Sequence, residues 1–165
     1  MIAYQYFPKT RNIPAHLQHI INCFEMNYDL ITSDKNQLKS NDVLAILSDT
    51  LTHEGFKAEP QDGKIKVPVL FGRNGNIEKS FDADAYNEEL HTVIEIEAGR
   101  GYTNNQFLKD LFQACMMHEL QYLVIAVRKR YLKTPDFEKV FQFFDTLYQS
   151  ERLKLPLTGI LLVGY

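Results

Sequence analysis

Two neighbouring stretches within residues 81–100 carry acidic side chains at alternate positions. Asp82 and Asp84 alternate with apolar residues in the first stretch, and Glu95 and Glu97 alternate with isoleucine and alanine in the second. This alternation favours β-strands, in which every second side chain lies on the same face. The polar connection between the stretches is short enough for a hairpin. The sequence therefore predicts four carboxylates gathered on one patch of two paired strands.

The expected pairing brings these like charges close together. If Asp84 lies opposite Val93, then Asp82 lies opposite Glu95, and cross-strand neighbours are about 5 Å apart. Like charges at this separation destabilise a sheet unless something neutralises them. A divalent cation that prefers oxygen ligands would do so. The alternative is that the acids form the solvated polar face of a half-buried sheet, with Asp82 either assisting the site or standing in solvent beside it.

Length, charge and cysteine content limit the class of protein. A chain of 165 residues favours one domain, and its formal net charge of −3 shows no global basic field of the kind that binds nucleic acid. Cys23 and Cys115 lie in apolar helical patterns, so we expect buried free thiols and a reducing cytoplasm. We expect no membrane association, because no apolar run approaches the roughly 18 residues that a span needs. We also expect no organic cofactor.

Periodicity along the chain predicts a mixed α/β sheet with helices on both sides, in the order α, α, β, β, β, α, β, α, β. The three consecutive strands are expected to form an antiparallel meander, with residues 77–86 as one continuous strand. The apolar run at residues 122–127 predicts a strand buried on both faces and parallel to its predecessor. We predict a single domain with three parts: a helical N-terminal part at about 1–56, a core at about 57–133, and a C-terminal helix and strand at 134–165.

This order of elements, with Asp84 followed by Glu95-Ile96-Glu97, resembles the PD-(D/E)xK nuclease superfamily, which has the restriction-endonuclease-like fold. That superfamily has an α-β-β-β-α-β core, an Asp on the second strand and an acidic-x-Lys pair on the third. The chain is more similar to a group of type II restriction enzymes in which Glu or Gln replaces the lysine. Glu97 stands at that position, and an Asn-rich segment at Asn104 and Asn105 leads into the next helix. The resemblance covers roughly residues 40–133.

The resemblance implies a Mg²⁺- or Mn²⁺-dependent endonuclease that hydrolyses DNA phosphodiester bonds, often as a homodimer. Asp84, Glu95 and the backbone carbonyl of Ile96 would hold the metal, and Glu97 would orient or deprotonate the attacking water. Ala83 stands where the motif has proline, and the motif lysine is absent. The alternative is a catalytically inactive protein of the same fold that binds DNA or assembles with other proteins.

Several polar residues outside the acidic patch are candidate nucleic-acid contacts. Asn104 and Asn105 precede a helix whose N-terminal amides favour phosphate, although capping and turn formation explain them equally well. A basic run follows the buried strand, and it either contacts backbone phosphate or forms a solvated turn. The predicted contacts in full are Arg100, Asn104, Asn105, Arg128, Lys129 and Arg130.

Three more residues have chemistry-bearing side chains but are not expected to act. His16 and His19 are three residues apart on a predicted helix, where an exposed face is favoured over a metal site because no clear third ligand follows. Lys109 could come near the acidic patch from its predicted helix, but it falls outside the apolar stripe, so we favour a side chain in solvent.

Overall fold

The computed structural model describes residues 1–99 and 102–165, which form a mixed α/β protein. The strands are β1 (Ala3–Phe7), β2 (Lys57–Ala58), β3 (Ile65–Phe71), β4 (Ile77–Ala83), β5 (Ala85–Asn87), β6 (Thr92–Glu97), β7 (Tyr122–Val127) and β8 (Gly159–Gly164). The helices are α1 (Ala15–Met26), α2 (Tyr28–Ile31), α3 (Ser40–His53), α4 (Glu59–Asp62), α5 (Gln106–Met116) and α6 (Asp136–Ser150), and a 3₁₀ turn covers Arg73–Gly75. None of the helices in these described ranges combines the length and apolar content that a bilayer crossing requires.

Six strands form one mixed sheet in the order β1-β8-β7-β6-β5-β2. The three central strands β6, β7 and β8 are parallel, because α5 and α6 carry the chain back between them. The outer strands β1, β5 and β2 run antiparallel to their neighbours. The prediction that residues 122–127 form a strand parallel to its predecessor is confirmed, and all but the first of its residues are buried.

Helices cover both faces of the sheet, as the periodicity predicted. Ile94 and Ile96 of β6 pack into a cluster with apolar residues of α1 and α3. Val93 of the same strand packs into a second cluster with Phe107 of α5 and Phe144 of α6. Because side chains alternate along a strand, Glu95 and Glu97 lie on the same face as Val93, the face that α5 and α6 cover.

The expected continuous strand over residues 77–86 and the simple meander are wrong. The strand breaks at Asp84, whose carbonyl accepts a hydrogen bond from the Glu59 amide at 2.9 Å. Before the break, β4 pairs with β3 in a separate two-stranded ribbon. After the break, β5 joins the main sheet beside β6. The bend at Asp84 therefore divides one predicted strand between two sheets.

Strand β1 was not predicted. It pairs antiparallel with β8 at the edge of the sheet and buries Tyr6 and Phe7. Tyr6 packs closely over Gly159 of β8, where a side chain of any size would collide with the tyrosine ring. A strand of five residues with Gln5 at its centre gives too short an alternating pattern to separate from a loop.

Candidate functional site

Asp84 lies where β5 ends against the edge of β6. Strand β5 pairs Ala85 with Ile94, and continuing that pairing would set Ala83 against Ile96. Ala83 belongs to the ribbon instead, and the Asp84 side chain takes its place. Its Oδ2 atom accepts a hydrogen bond from the Ile96 amide at 2.7 Å. A carboxylate is thus fixed at the sheet edge by the same bend that ends β4.

The predicted register of this hairpin is wrong by two residues. The structure pairs Tyr86, not Asp84, with Val93. A shift of two residues leaves every side chain on its predicted face. Asp84 directly precedes the paired residues of β5, its backbone amide donates a hydrogen bond to the Glu95 carboxylate, and both acids line the same cleft.

The Ile96 carbonyl also points toward Asp84. The N–H and C=O groups of one strand residue project to the same side of the strand. Because the Ile96 amide donates to Asp84, its carbonyl oxygen faces that side as well, and Ile96 lines the same cleft. The two carboxylates and Ile96 therefore line one cleft, and their role as a metal ligand set stays a prediction.

A cleft of about 200 Å³ collects these groups between the sheet and α5. Asp110 of α5 projects into it and is buried, with 4% of its surface exposed. The Gln106 amide donates to Asp110 Oδ1 at 3.3 Å, whereas Oδ2 has no hydrogen-bond partner among the described residues. The residues lining the cleft are Ser40, Glu59, Asp82, Ala83, Asp84, Glu95, Ile96, Glu97, Gln106, Lys109, Asp110 and Gln113.

The carboxyl groups of the cleft hold their protons more tightly than exposed acids do. Desolvation raises the pKa of Asp84 to about 6, with the negative charges of Glu59 and Asp110 adding to it. Desolvation also raises the pKa of Glu97 to about 8, and raises that of Glu95 well above its ordinary value. The site is therefore a pocket of buried acids without enough positive charge to balance them.

Glu97 and Asp110 act as a pair. Their carboxyl groups are close enough to hydrogen-bond, which raises the pKa of Glu97 and lowers that of Asp110 against the larger upward effect of burial. Two ionised carboxylates cannot donate to one another, so Glu97 carries the shared proton and Asp110 accepts. This arrangement satisfies an otherwise orphaned Asp110 oxygen while Glu97 is protonated.

Asp82 does not join this buried group. Its carboxylate is half exposed and accepts hydrogen bonds from Lys64 at 3.3 Å and Lys66 at 3.2 Å. These hydrogen bonds, led by that from Lys66, lower the pKa of Asp82. Of the two interpretations of Asp82, the solvated neighbour is the one that fits. The fourth carboxylate of the cluster is Asp110, whose role was not predicted.

Lys109 is exposed, as expected, and it also borders the acidic cleft. The side chain is exposed, but its positive charge lowers the pKa values of Asp84, Glu97 and Asp110 against the effect of burial. The spacing in α5 contains the signal that was missed. Gln106, Lys109, Asp110 and Gln113 recur at i, i+3, i+4 and i+7, so they share one polar helix face.

The donors present suit a hard divalent cation. Carboxylate and carbonyl oxygens are the ligands that Mg²⁺ takes, and it usually uses only one or two protein carboxylates. In the ranges 1–99 and 102–165, no three His, Cys, Asp or Glu side chains are arranged to hold a metal by themselves. Asp84, Glu95 and the Ile96 carbonyl would therefore need water or substrate oxygens to complete a coordination shell. The excess of buried acids agrees with a missing positive charge.

Two residues of the predicted basic run, Arg128 and Lys129, contact other parts of the fold. Arg128 is buried, and its guanidinium donates to the Leu38 carbonyl and lies 5.4 Å from the Tyr131 ring. Lys129 donates to the Met1 carbonyl and to the Tyr28 hydroxyl at 3.2 Å. These two side chains are thus engaged within the fold.

The remaining predicted nucleic-acid contacts differ in accessibility. Arg130 is exposed at the end of the basic run. Asn104 and Asn105 are exposed immediately before α5, and Asn105 adopts a left-handed backbone conformation there. The prediction for Arg100 falls outside the described residues. Exposed polar groups therefore precede the helix that borders the cleft.

The two histidines of α1 also have partners. His16 Nε2 lies 3.2 Å from the Thr92 hydroxyl, and its ring packs edge-on against Tyr122. His16 is only partly exposed, contrary to the prediction, and this partial burial lowers its pKa. His19 is exposed, as predicted, and its Nδ1 lies 3.0 Å from a Glu54 oxygen.

No protein-family model matches this chain, and no curated protein matches it in sequence. The resemblance to PD-(D/E)xK nucleases therefore stays a prediction from the residues. A function for the cleft has to be inferred from its side chains and their geometry.

Proposed function

We propose that this protein is a divalent-metal-dependent endonuclease with a restriction-endonuclease-like fold, which hydrolyses DNA phosphodiester bonds. One observation carries the proposal: Asp84 and Glu95 on adjacent strands, with Glu97 and Asp110, line a single cleft that lacks balancing positive charge. A buried cluster of this kind is costly to the fold. Acids with strongly raised pKa values cluster at functional sites, and here a bound cation would balance them.

Asp84, Glu95 and the Ile96 carbonyl are the proposed metal ligands. The hydrogen bond from the Ile96 amide fixes the orientation of Asp84 before any ion arrives. A bound Mg²⁺ or Mn²⁺ would lower the pKa of water and neutralise charge on the phosphoryl group. The chain itself contributes the oxygen ligands, their orientation and a partly desolvated cleft.

Glu97 is the proposed general base. The water oxygen attacks phosphorus, its proton passes to Glu97, and the bond to the leaving oxygen breaks. The leaving oxygen then takes a proton from solvent. A cation held at Asp84 and Glu95 would lower the pKa of Glu97 from about 8 toward neutral pH, so Glu97 would ionise more readily. Once Glu97 holds the proton, Asp110 would accept a hydrogen bond from its carboxyl group.

Lys109 is the proposed source of the positive charge that the motif lysine would otherwise supply. Strand β6 has Glu97 at that position, whereas Lys109 approaches the same cleft from α5. Its charge already favours the ionised forms of Asp84 and Glu97. A phosphate entering the cleft would meet this ammonium group instead of acids alone.

Exposed polar groups near the cleft are proposed to hold the DNA backbone. Asn104 and Asn105 precede α5, whose N-terminal amides favour phosphate. Arg130 is exposed, and we keep it and Arg100 as proposed phosphate contacts. Arg128 and Lys129 are left out because their cationic groups are engaged within the fold. Cutting both strands would require two cleavage events, which a homodimer would supply.

A second candidate is a nuclease-fold protein that binds DNA without cutting it. The missing strand lysine and the raised pKa of Glu97 favour this alternative, because a protonated Glu97 cannot accept a proton. The two candidates share the metal site and the DNA surface. They differ only in whether phosphodiester bonds are broken.

Thermal melting and plasmid cleavage together test the proposal. We expect Mn²⁺ to raise the melting temperature of the wild-type protein but not of Asp84→Ala or Glu95→Ala. Supercoiled plasmid should be nicked with Mg²⁺ or Mn²⁺, and much more slowly by Glu97→Gln. Equal trace nicking by wild type and Asp84→Ala would overturn the enzyme, and the absence of a Mn²⁺ shift would overturn the metal site.

A further inference from the structure

The outer part of the β3–β4 ribbon, residues 70–79, projects from the fold, and we name it the finger. Every residue in it except Gly72 is exposed, including the apolar side chains of Leu70, Phe71 and Ile77. The inner part of the ribbon is anchored, because Val67 and Ala83 are buried in the core. The ribbon therefore has a fixed base and an outer end that no described part of the chain covers.

Contacts beside the finger hold it in place. The His118 amide donates to the Pro68 carbonyl at 2.8 Å, and the His118 ring packs edge-on against Phe71 with ring centroids 4.9 Å apart. A ribbon supported in this way keeps one orientation relative to α5. Ordering it on binding would therefore cost little conformational entropy.

The finger presents cations, amides and apolar side chains together. Phe71 pairs with Ile77 on one face of the ribbon, and Leu70 pairs with Lys79 on the other, with a bulge between the two pairs. The Lys79 ammonium lies 5.3 Å from the centroid of the Phe81 ring. Arg73, Asn74 and Asn76 form the exposed turn, with Asn74 in a left-handed conformation. The side chain of Glu78, an anion within the finger, lies against Gly72. Two cations thus lie on an outer end of a chain whose formal net charge is −3.

The finger is directly connected to the cleft. Strand β4 runs from Ile77 to Ala83 and is followed at once by Asp84. Asp84 lies five positions after Lys79, a distance of about 17 Å in an extended strand. A DNA duplex whose phosphate entered the cleft would therefore bring a groove within reach of the finger, since the grooves are only about 6–12 Å wide.

We propose that the finger inserts into a groove of duplex DNA and holds the substrate while the cleft engages a phosphate; this rests on the proposed function. A two-stranded ribbon fits a DNA groove. Arginine, lysine and asparagine are the side chains that contact base edges and phosphates, and exposed apolar residues wedge against bases. We take duplex DNA as the occupant because the finger adjoins the cleft that is proposed to engage a phosphate, and DNA phosphates would meet its cations and asparagines there.

Binding measured without hydrolysis separates the finger from the catalytic site. Fluorescence anisotropy of a labelled duplex of about two helical turns, in EDTA, compares wild type with Arg73→Ala/Lys79→Ala. The matched control is Arg152→Ala/Lys154→Ala, which removes the same charge from an exposed segment after α6. We expect the finger variant to bind roughly 10- to 100-fold more weakly and to reduce the slope of log affinity against log salt by about 1–2. The control should do neither.

Cleavage kinetics distinguish the failure of the finger from the failure of the enzyme. With Mg²⁺, Arg73→Ala/Lys79→Ala should have a higher KM for plasmid than the wild type and a kcat near the wild-type value. If this variant binds DNA and has a KM like the wild type, the proposed role of the finger is wrong, whereas the proposed nuclease activity is unaffected. A wild-type protein that neither binds nor cuts DNA would overturn both. Loss of self-association in Phe71→Ser/Ile77→Ser, with unchanged DNA binding, would show that the finger is a contact between copies.

Discussion

Asp82 and Asp84 are two residues apart, yet they occupy opposite electrostatic environments. Asp82 lies at the base of the ribbon, half exposed, and two lysines lower its pKa. Asp84 lies beyond the bend, and burial raises its pKa to about 6. Lysine side chains therefore pair with the acid at the base of the ribbon, whereas the buried acids of the cleft have no such pairing. This contrast supports a cleft that is completed by a ligand instead of by the protein's own side chains.

The largest expected effect is on catalysis. Asp84→Ala or Glu95→Ala should reduce plasmid cleavage by about 10³-fold or more, because each removes a ligand of the cation that stabilises the transition state. Asp82→Ala removes an equal charge two residues from Asp84 and should keep activity within about threefold, since exposed ion pairs contribute little. Equal losses in Asp82→Ala and Asp84→Ala, measured as nicking rates, would remove the distinction between the two acids.

A smaller effect is expected at Glu97. Glu97→Gln keeps the shape of the side chain but cannot accept a proton, so kcat should fall roughly 10²-fold. Mn²⁺ should still raise the melting temperature of this variant, because Asp84 and Glu95 remain. Loss of the Mn²⁺ shift in Glu97→Gln would instead make Glu97 a metal ligand.

Lys109→Ala should lower the rate near neutral pH by roughly tenfold, the effect of about one pKa unit. Removing this charge lets the pKa values of Asp84 and Glu97 rise further, so the pH–rate profile should shift toward higher pH. Lys109→Arg keeps the charge and should largely preserve both rate and profile. If the pH–rate profile of Lys109→Ala does not shift, the charge of Lys109 has no effect on the ionisation of the acids in the cleft.

The smallest effect concerns stability without metal. The acids of the cleft have higher pKa values in the folded state than in the unfolded state. Their contribution to the free energy of unfolding is therefore complete below about pH 4, and it is lost as the pH rises through about 6 for Asp84 and about 8 for Glu97. Asp84→Asn can still accept the Ile96 hydrogen bond and should raise the melting temperature at pH 8 by about 2–4 °C.

Two other groups respond to pH in the opposite direction and serve as internal comparisons. The pKa of Asp82 is lower in the folded state, so this group stabilises the fold at pH values above its ordinary pKa, and the stabilisation is lost as the pH falls. The pKa of His16 is also lowered, so this group favours the folded state as the pH rises through about 6.5. Asp82→Asn should therefore leave the melting temperature at pH 8 unchanged or slightly lower. A decrease at pH 8 in Asp84→Asn, measured by thermal melting in EDTA, would show that the cleft is already balanced.

The sequence predicted the strand-borne half of the site. Alternation placed Asp84, Glu95 and Glu97 on one face, and the two-residue register error did not change that face. The bend at Asp84 was not predicted, because it depends on the Glu59 amide and on the competition of two sheets for one segment. Such long-range pairings leave no periodic signal in the chain.

The helix-borne half of the site was missed for a related reason. Asp110 and Lys109 reach the cleft only because α5 packs across the same face of β6 that carries Glu97. Their helical spacing with Gln106 and Gln113 marks a polar face, but a polar helix face is normally directed to solvent. The burial of Arg128 was missed similarly, since its carbonyl partner Leu38 is distant in sequence.

The central claim is that Asp84 and Glu95 hold one divalent cation. Anomalous diffraction from crystals soaked in Mn²⁺ tests it most directly. We predict one peak bound at about 2.1 Å by oxygens of Asp84 and Glu95 and by the Ile96 carbonyl, and no peak there in Asp84→Ala. A saturating soak that leaves this position empty while the ion binds elsewhere on the protein would contradict the account.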